Sequence, residues 1–459
     1  MNFGRLDAES DENLEQYFVE TGAVSRVAEG KSLVLGRKGA GKTALFKHLK
    51  RSLNSTQTVV DLDLDGYYFK SHKRLVESGV DQSHSYTNAW KLVLYTAMLG
   101  ELSQELSKDQ KKELDRIFAE LAVADNRSTF QKIVDWLKNI KSIDLPKVDG
   151  LFDLGGIEFN STDEGFTDRF VECSRSIEQL ALSVIKEHPV TVLVDRLDDG
   201  WDGSEESKNF IIGALRATRA INLEKHVSET APVILFLRTD IWDAVVFNDR
   251  NKMGPDAEYL DWDDEDLVRV VEARIQSSLG DSNLGWYDVF TDTDMRQKAK
   301  SKTYVLKRTM GRPRDILAYA QEAVKKACAN GNDTVSKDDI YQAEIPYSRH
   351  IMQELSDEMG AISDEWNKAL AALKTIGQRT FTKPIWLEKA EQQGFKTAKA
   401  ENMLKLLVES SVVGIHNVGG GGGGSRSRFR YMDKYVTVVD GARYQVHLAV
   451  AKEMGLKDA

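Results

Sequence analysis

Short apolar runs recur through the first half of the chain, at 33–35, 190–194 and 233–237. Each is rich in Val, Leu and Ile and too brief for a helical stripe, which is the pattern of a strand covered on both faces. Residues 59–65 alternate apolar and acidic positions and predict a further strand, and 259–262 predict a short fifth. Between them the period changes. Leu45, Phe46, Leu49 and Leu53 share one face of 44–53, and Phe170, Ile177, Ala181 and Val184 share one face of 167–187. Residues 85–142 read as helical, opened by Trp90, Leu92 and Leu94, and 143–166 as irregular. Leu14, Tyr17, Phe18 and Val24 predict a short amphipathic helix near the start. Strands alternating with helices predict a parallel α/β sheet with helices on both faces.

The later pattern differs. Residues 263–345 read as mainly helical. Trp366, Ala369, Leu370, Leu373 and Ile376 then mark one helix face. Thr382 can cap a second helix with Pro384 in its first turn, Gly394 ends it, and 397–410 form a third. Two β-like runs follow, 412–415 and 429–439, separated by six glycines at 419–424 that read as a flexible hairpin tip. Three helices and a two-stranded ribbon are the outline of a winged helix. The expected division is a core at 1–262 with a helical insertion at about 70–165, a helical lid at 263–350, and a winged-helix domain at 351–459.

Composition excludes several classes. The 459 residues are 41% hydrophobic and 29% charged, with 7 Pro, which suits a globular chain and not a collagenous or disordered one. No apolar run approaches the roughly 18 residues of a membrane span. The first residues lack a secretory pattern, and Cys173 and Cys328 make no disulfide framework, so a cytoplasmic protein is expected. With 62 basic and 72 acidic residues the net charge is −10, so bulk charge does not hold this chain to nucleic acid. Residues 256–266 hold seven carboxylates, but their spacing is not a calcium loop, and they read as a solvated turn capping the next helix. The eight His show no zinc-binding spacing.

The strongest chemical signal is Gly36, Arg37, Lys38, Gly39, Ala40, Gly41, Lys42 and Thr43, a full P-loop pattern between a strand and a helix. Its glycines let backbone N–H groups curl around phosphate oxygens, and the following helix points its positive end at the anion. Lys42 would reach the β- and γ-phosphates, and Thr43 would hold Mg2+. The apolar run 190–194 ends in Asp195, the pattern of a Walker B strand whose carboxylate serves Mg2+. Asp198 or Asp199 supplies the second carboxylate needed to orient water. At the end of the next strand, Arg238 or Thr239 can sense a γ-phosphate, unless Arg238 is spent on Asp240 or Asp243. Gly311, Arg312, Pro313, Arg314 and Asp315 open a helix. An Arg there gains nothing from the helix dipole, so it serves either a ligand or a surface pair with Asp315.

At these motifs the chain resembles STAND or ORC-type AAA+ ATPases. It is similar in particular to bacterial stand-alone P-loop ATPases found among mobile-element and anti-phage defence genes. They share the Tyr17 to Thr21 phrase, the P-loop wording and the run from Asp195 to Trp201. The resemblance implies an α/β fold with a parallel-sheet P-loop core of ASCE/AAA+ type, helical insertion, α-helical lid and C-terminal winged helix. It also implies ATP and Mg2+ as ligands and Arg314 as the sensor-2 arginine. One departure stands out: Arg196 occupies the position where typical AAA+ proteins carry Glu, which favours a slow switch. Arg250 and Arg274 are the candidates for an arginine finger. The function expected is an ATP-hydrolysing switch that controls self-association or an effector protein, plausible in anti-phage defence.

The alternative is a DNA-binding ATPase, a loader or regulator that uses Arg426, Arg428 and Arg430. Their alternation predicts one face of a strand. The competing use of that domain is protein docking or autoinhibition. A small-molecule kinase on the same P-loop is disfavoured by the long C-terminal half.

Overall fold

The computed structural model describes residues 1, 3–64, 82–124, 164–224, 232–360, 363–417 and 426–457. The expected glycine hairpin tip at 419–424, the helical reading of 125–142 and the irregular reading of 143–163 lie outside them. The chain divides into two compact units, Glu20–Leu260 and Met1–Val19 with Asp261–Ala459. The first nineteen residues thus cluster with the C-terminal half and not with the core in which the sequence reading placed them. The lid and C-terminal segments cluster as one unit.

The Glu20–Leu260 unit is built on five parallel strands: β1 (Leu33–Gly36), β2 (Thr58–Asp63), β3 (Val190–Asp195), β4 (Val233–Arg238) and β5 (Ala257–Tyr259). Their order is β2-β3-β4-β1-β5. Every residue of β1, β3 and β4 is buried, as runs without polar alternation require. Among the described residues its α-helices of seven residues or more are α1 (Gly22–Ala28), α2 (Lys42–Leu53), α3 (Gln82–Glu101), α4 (Lys108–Ala124), α5 (Glu164–Ile185) and α6 (Glu205–Asn222). The expected N-terminal helix is shorter than read: Leu14–Gln16 is one 3-10 turn, and α1 begins at Gly22 because Thr21 caps it.

The sequence could not place residues 70–165, yet α3 is core. It packs on β2, β3 and α6, with Trp90, Tyr95, Ala97 and Met98 fully buried. The Trp90 indole donates to the carbonyl of Phe210 at 3.0 Å, and the two rings lie 4.9 Å apart. A Cβ on Gly213 of α6 would stand 2.6 Å from the Tyr86 Cβ and 2.9 Å from its carbonyl carbon, so the absence of a side chain sets how closely these helices approach.

The second unit holds α7 (Asp264–Leu279), α8 (Pro313–Asn330), α9 (Lys337–Gly360), α10 (Trp366–Ile376), α11 (Lys383–Gln392) and α12 (Thr397–Glu409). Asp263 caps α7 by accepting from the Asp266 N–H, the role expected of that acidic stretch. The N-terminal segment is gripped by Arg274 of α7. Its guanidinium donates to the carbonyls of Phe3 and Arg5, pairs with Asp11 at 3.3 Å and lies 4.2 Å from the Tyr17 ring centre.

The three expected C-terminal helices, α10 to α12, are present, but the strands differ from the ribbon predicted. Four antiparallel strands run in the order β6-β9-β7-β8: β6 (Thr380–Thr382), β7 (Val413–Asn417), β8 (Arg426–Arg428) and β9 (Arg443–Val446). The run 429–439 is a set of turns, because Phe429 folds back over Gly414 instead of continuing β8.

Replacing Gly213 with Ala should lower stability by about 1–3 kcal/mol through overpacking against Tyr86. Urea denaturation followed by tryptophan fluorescence measures it, and an unmoved midpoint would show that α3 and α6 separate freely.

Candidate functional site

Strand order brings the motifs together. β4 separates β1 from β3, so the loops leaving the carboxyl ends of these three strands are neighbours, the usual location of a ligand crevice in an open parallel sheet. Gly36 lies in register with Arg238, and Asp63 with Asp195. The P-loop leaves β1 through Gly39 (φ +78°) and Gly41 (φ +94°), left-handed values that favour glycine. The Ala40 N–H donates to the Arg37 carbonyl at 3.0 Å, closing the turn, and α2 begins at Lys42. Phe46 of α2 anchors the helix edge-on to Phe236 of β4, with ring centres 5.6 Å apart.

Lys42 is buried. Its ammonium donates to the carbonyls of Gly36 at 3.1 Å and Arg37 at 3.3 Å, inside the loop that it would share with phosphate. Burial lowers its pKa against the opposing pull of Asp198 and Asp195. Arg37 and Lys38 are half-buried on the same turn. Thr43 donates its hydroxyl to the Asp195 carboxylate at 2.8 Å. Asp195 is 2% exposed, and burial pushes its pKa up to about 6 despite the bonds from Thr43 and the Arg196 N–H. A buried carboxylate beside a hydroxyl, short of positive charge, fits a Mg2+ ion bound by Thr43 and Asp195.

The two further acids part company. Asp198 Oδ2 lies 3.6 Å from Arg238 Nη1, while Asp199 pairs with Arg196 at 2.7 Å. Arg238 is buried and makes a bidentate pair with Asp240, at 3.0 and 2.6 Å, so the local pair read from sequence is present, though not on the surface. Thr239 opens the short helix after β4. Asp63 at the end of β2 also belongs to this set, 3.4 Å from Arg196, and the sequence reading missed it. The alternating acids of 59–65 were its only signal.

Arg314 sits in the first turn of α8 and pairs with Glu354 of α9 at 3.3 Å. Of the two arginines in this turn it is Arg312 that pairs with Asp315, at 2.8 Å, and the pair is buried and not on the surface. Asp315 also accepts the Met310 N–H, so this pair fixes the turn that opens α8. Arg274 is buried on the N-terminal segment and is not available as an arginine finger. Arg250 stacks on Trp242 at 4.5 Å and pairs with Asp243 at 3.3 Å. Arg426, Arg428 and Arg430 do not form one row. Arg426 and Arg428 lie on β8, Arg428 is 3.5 Å from Asp433, and Arg430 has left the strand and donates to the Val436 carbonyl. Among the described residues no group of three or more His, Cys, Asp or Glu side chains forms a separate metal cluster. No helix among them is long and apolar enough to cross a membrane.

Residues 265–356 match the family model described as the FunZ-associated C-terminal helical domain, over the stretch from α7 to α9. The chain is similar to a putative transposon gamma-delta 80.3 kDa protein of Escherichia coli strain K12, 23% identical over 389 residues. That match covers 82% of this chain and 54% of the relative, so the chain spans about half the relative's length. Among solved structures it is similar to the ORC2 protein of Aeropyrum pernix in ADPNP–ADP complexes, at 13% identity and TM-score 0.39, covering 97% of this chain and 92% of that one. It is also similar to Cdc6p of Pyrobaculum aerophilum, at 10% identity and TM-score 0.33, covering 98% and 94%.

The folded Asp195 carboxyl titrates at about 6 and an unperturbed one at 3.8, so without metal the native state is the better proton binder in that window. Stability in EDTA should therefore fall as pH rises from about 4 to about 6, by up to about 3 kcal/mol. Asp195→Asn should remove that slope and raise the thermal midpoint at neutral pH. A midpoint lowered by Asp195→Asn would contradict a cost of burying this charge.

Proposed function

We propose that this chain binds and hydrolyses ATP with Mg2+ and acts as a nucleotide-gated switch. The observation that carries the reading is the Thr43–Asp195 contact at 2.8 Å, with the Lys42 ammonium held inside the loop just before it. Mg2+, when bound, supplies positive charge to the phosphate oxygens. The chain's own groups do the rest. N–H groups of the P-loop and the start of α2 donate to the anion, and Lys42 exchanges two carbonyl partners for phosphate oxygens. Arg238, tied to Asp240 and near Asp198, is placed to respond to charge beyond the β1 and β3 ends. An arginine directly after Asp195 cannot accept a proton, which supports slow turnover suited to switching.

The output is self-association or an effector protein, reached through the helical segment that Arg314 opens. Likeness to a putative transposon protein supports a mobile-element setting. The DNA-binding alternative is weakened by its own side chains: Arg428 and Arg430 hold the 429–436 turn, and Lys399 and Lys405 pair with Glu365 and Glu409.

Lys42→Ala should weaken ATP binding about ten- to hundred-fold, the loss of charge-assisted hydrogen bonds to phosphate. Titration with a fluorescent ATP analogue checks this, and unchanged affinity would overturn the reading. Mass measured in solution with and without ATP should differ; one unchanged monomer in both states would remove the assembly output.

A further inference from the structure

Arg196 is one of five non-glycine residues with positive φ among the described residues, at +63°. An L side chain in this conformation costs about 1–2 kcal/mol, so neighbouring contacts must hold it. They are visible on both sides. The reversal lets the Asp199 N–H donate to the Arg196 carbonyl at 3.1 Å and the Trp201 N–H to the Asp198 carbonyl at 3.0 Å, giving two successive tight turns. The guanidinium reaches Asp63 at the end of β2 and Asp199 in its own turn, at 3.4 and 2.7 Å. Because Asp63 is in register with Asp195, the side chain ties the end of β2 to the loop leaving β3.

This clasp sorts the two loop carboxylates. Asp199 is drawn to Arg196, while Asp198 faces Arg238 and lies within the field of Lys42. We propose that Arg196 is a positioning residue for hydrolysis: by holding Asp63 and Asp199 it fixes the turn so that Asp198 is the carboxylate that orients the attacking water. The inference rests on the ATPase reading and deepens it. In the step, the water oxygen bonds to the γ-phosphorus as the bond from that phosphorus to the β–γ bridging oxygen breaks. The bridging oxygen leaves with the electron pair on the diphosphate. One water proton passes through Asp198 to the released phosphate, and the other stays on the transferred oxygen. Asp198 takes the place of the absent glutamate, and Arg196 keeps it there.

The test compares Asp198→Asn, Asp199→Asn, Arg196→Gly and Arg196→Lys for kcat, KM, nucleotide affinity in EDTA and thermal midpoint. Asn conserves volume, and Gly accepts the positive φ, so each variant keeps a route to the native fold. Asp198→Asn should lower kcat about a hundred-fold or more, in the range of a lost general base, with affinity in EDTA little changed. Arg196→Gly should lower kcat about ten-fold at unchanged affinity and midpoint, and Arg196→Lys should restore part of it. Asp199→Asn should cost far less than Asp198→Asn. Equal losses from the two Asn variants, or wild-type kcat in Arg196→Gly, would overturn the proposal while leaving the ATPase reading intact. Wild-type protein that binds ATP without turnover would overturn both.

Discussion

The arrangement of the core unit depends on placing unlike charges at the buried end of a parallel sheet. Asp195, Lys42 and Arg238 are each under 10% exposed, and each is expensive to hold without a partner. The sheet offers a partial answer through Thr43, the Gly36 and Arg37 carbonyls and Asp240. Asp198 adds to that answer, 3.6 Å from Arg238. Three fully buried strands, left-handed glycines in the P-loop and an aromatic anchor under α2 serve that placement. Val34 and Phe236 are wholly buried, and such side chains contribute about 1.5–3 kcal/mol each towards holding charged groups in place.

Much of this was legible in the sequence for a physical reason. A strand buried on both faces has no polar alternation, so 190–194 and 233–237 announce themselves. A P-loop needs glycine at left-handed positions, so Gly39 and Gly41 mark the turn. Which of Asp198 and Asp199 pairs with Arg196 was not legible, because it depends on where Arg196 turns its guanidinium, and that depends on a positive φ. Nor was Asp63, whose approach is set by a register between β2 and β3 that local sequence does not state.

The same limit explains the corrections in the second unit. Arg312 and Arg314 flank one proline, and either could have met Asp315; the turn before α8 buries the first and sends the second to Glu354. The alternation from Arg426 to Arg430 assumed that the strand continues. Phe429 leaves it to cover Gly414, stacks on Tyr431 and packs edge-on to His447 at 4.6 Å. A tertiary contact outweighed a period-two pattern. The helical reading of α3 was right, but its place in the core was hidden: every residue from Leu92 to Leu99 is buried, which blurs an amphipathic signal although it marks burial.

The grip of Arg274 on the opening residues has a consequence for biosynthesis. Residues 20–260 can close into their own sheet as they emerge, but the guanidinium that donates to the carbonyls of Phe3 and Arg5 exists only once α7 has been made. At ordinary elongation rates that delay is on the order of ten to fifty seconds. Throughout it, Phe3, Asp11 and Tyr17 wait without the pocket that later buries them. The acidic character of 1–20 has a use during that wait, since charge keeps an unsheltered nascent segment soluble.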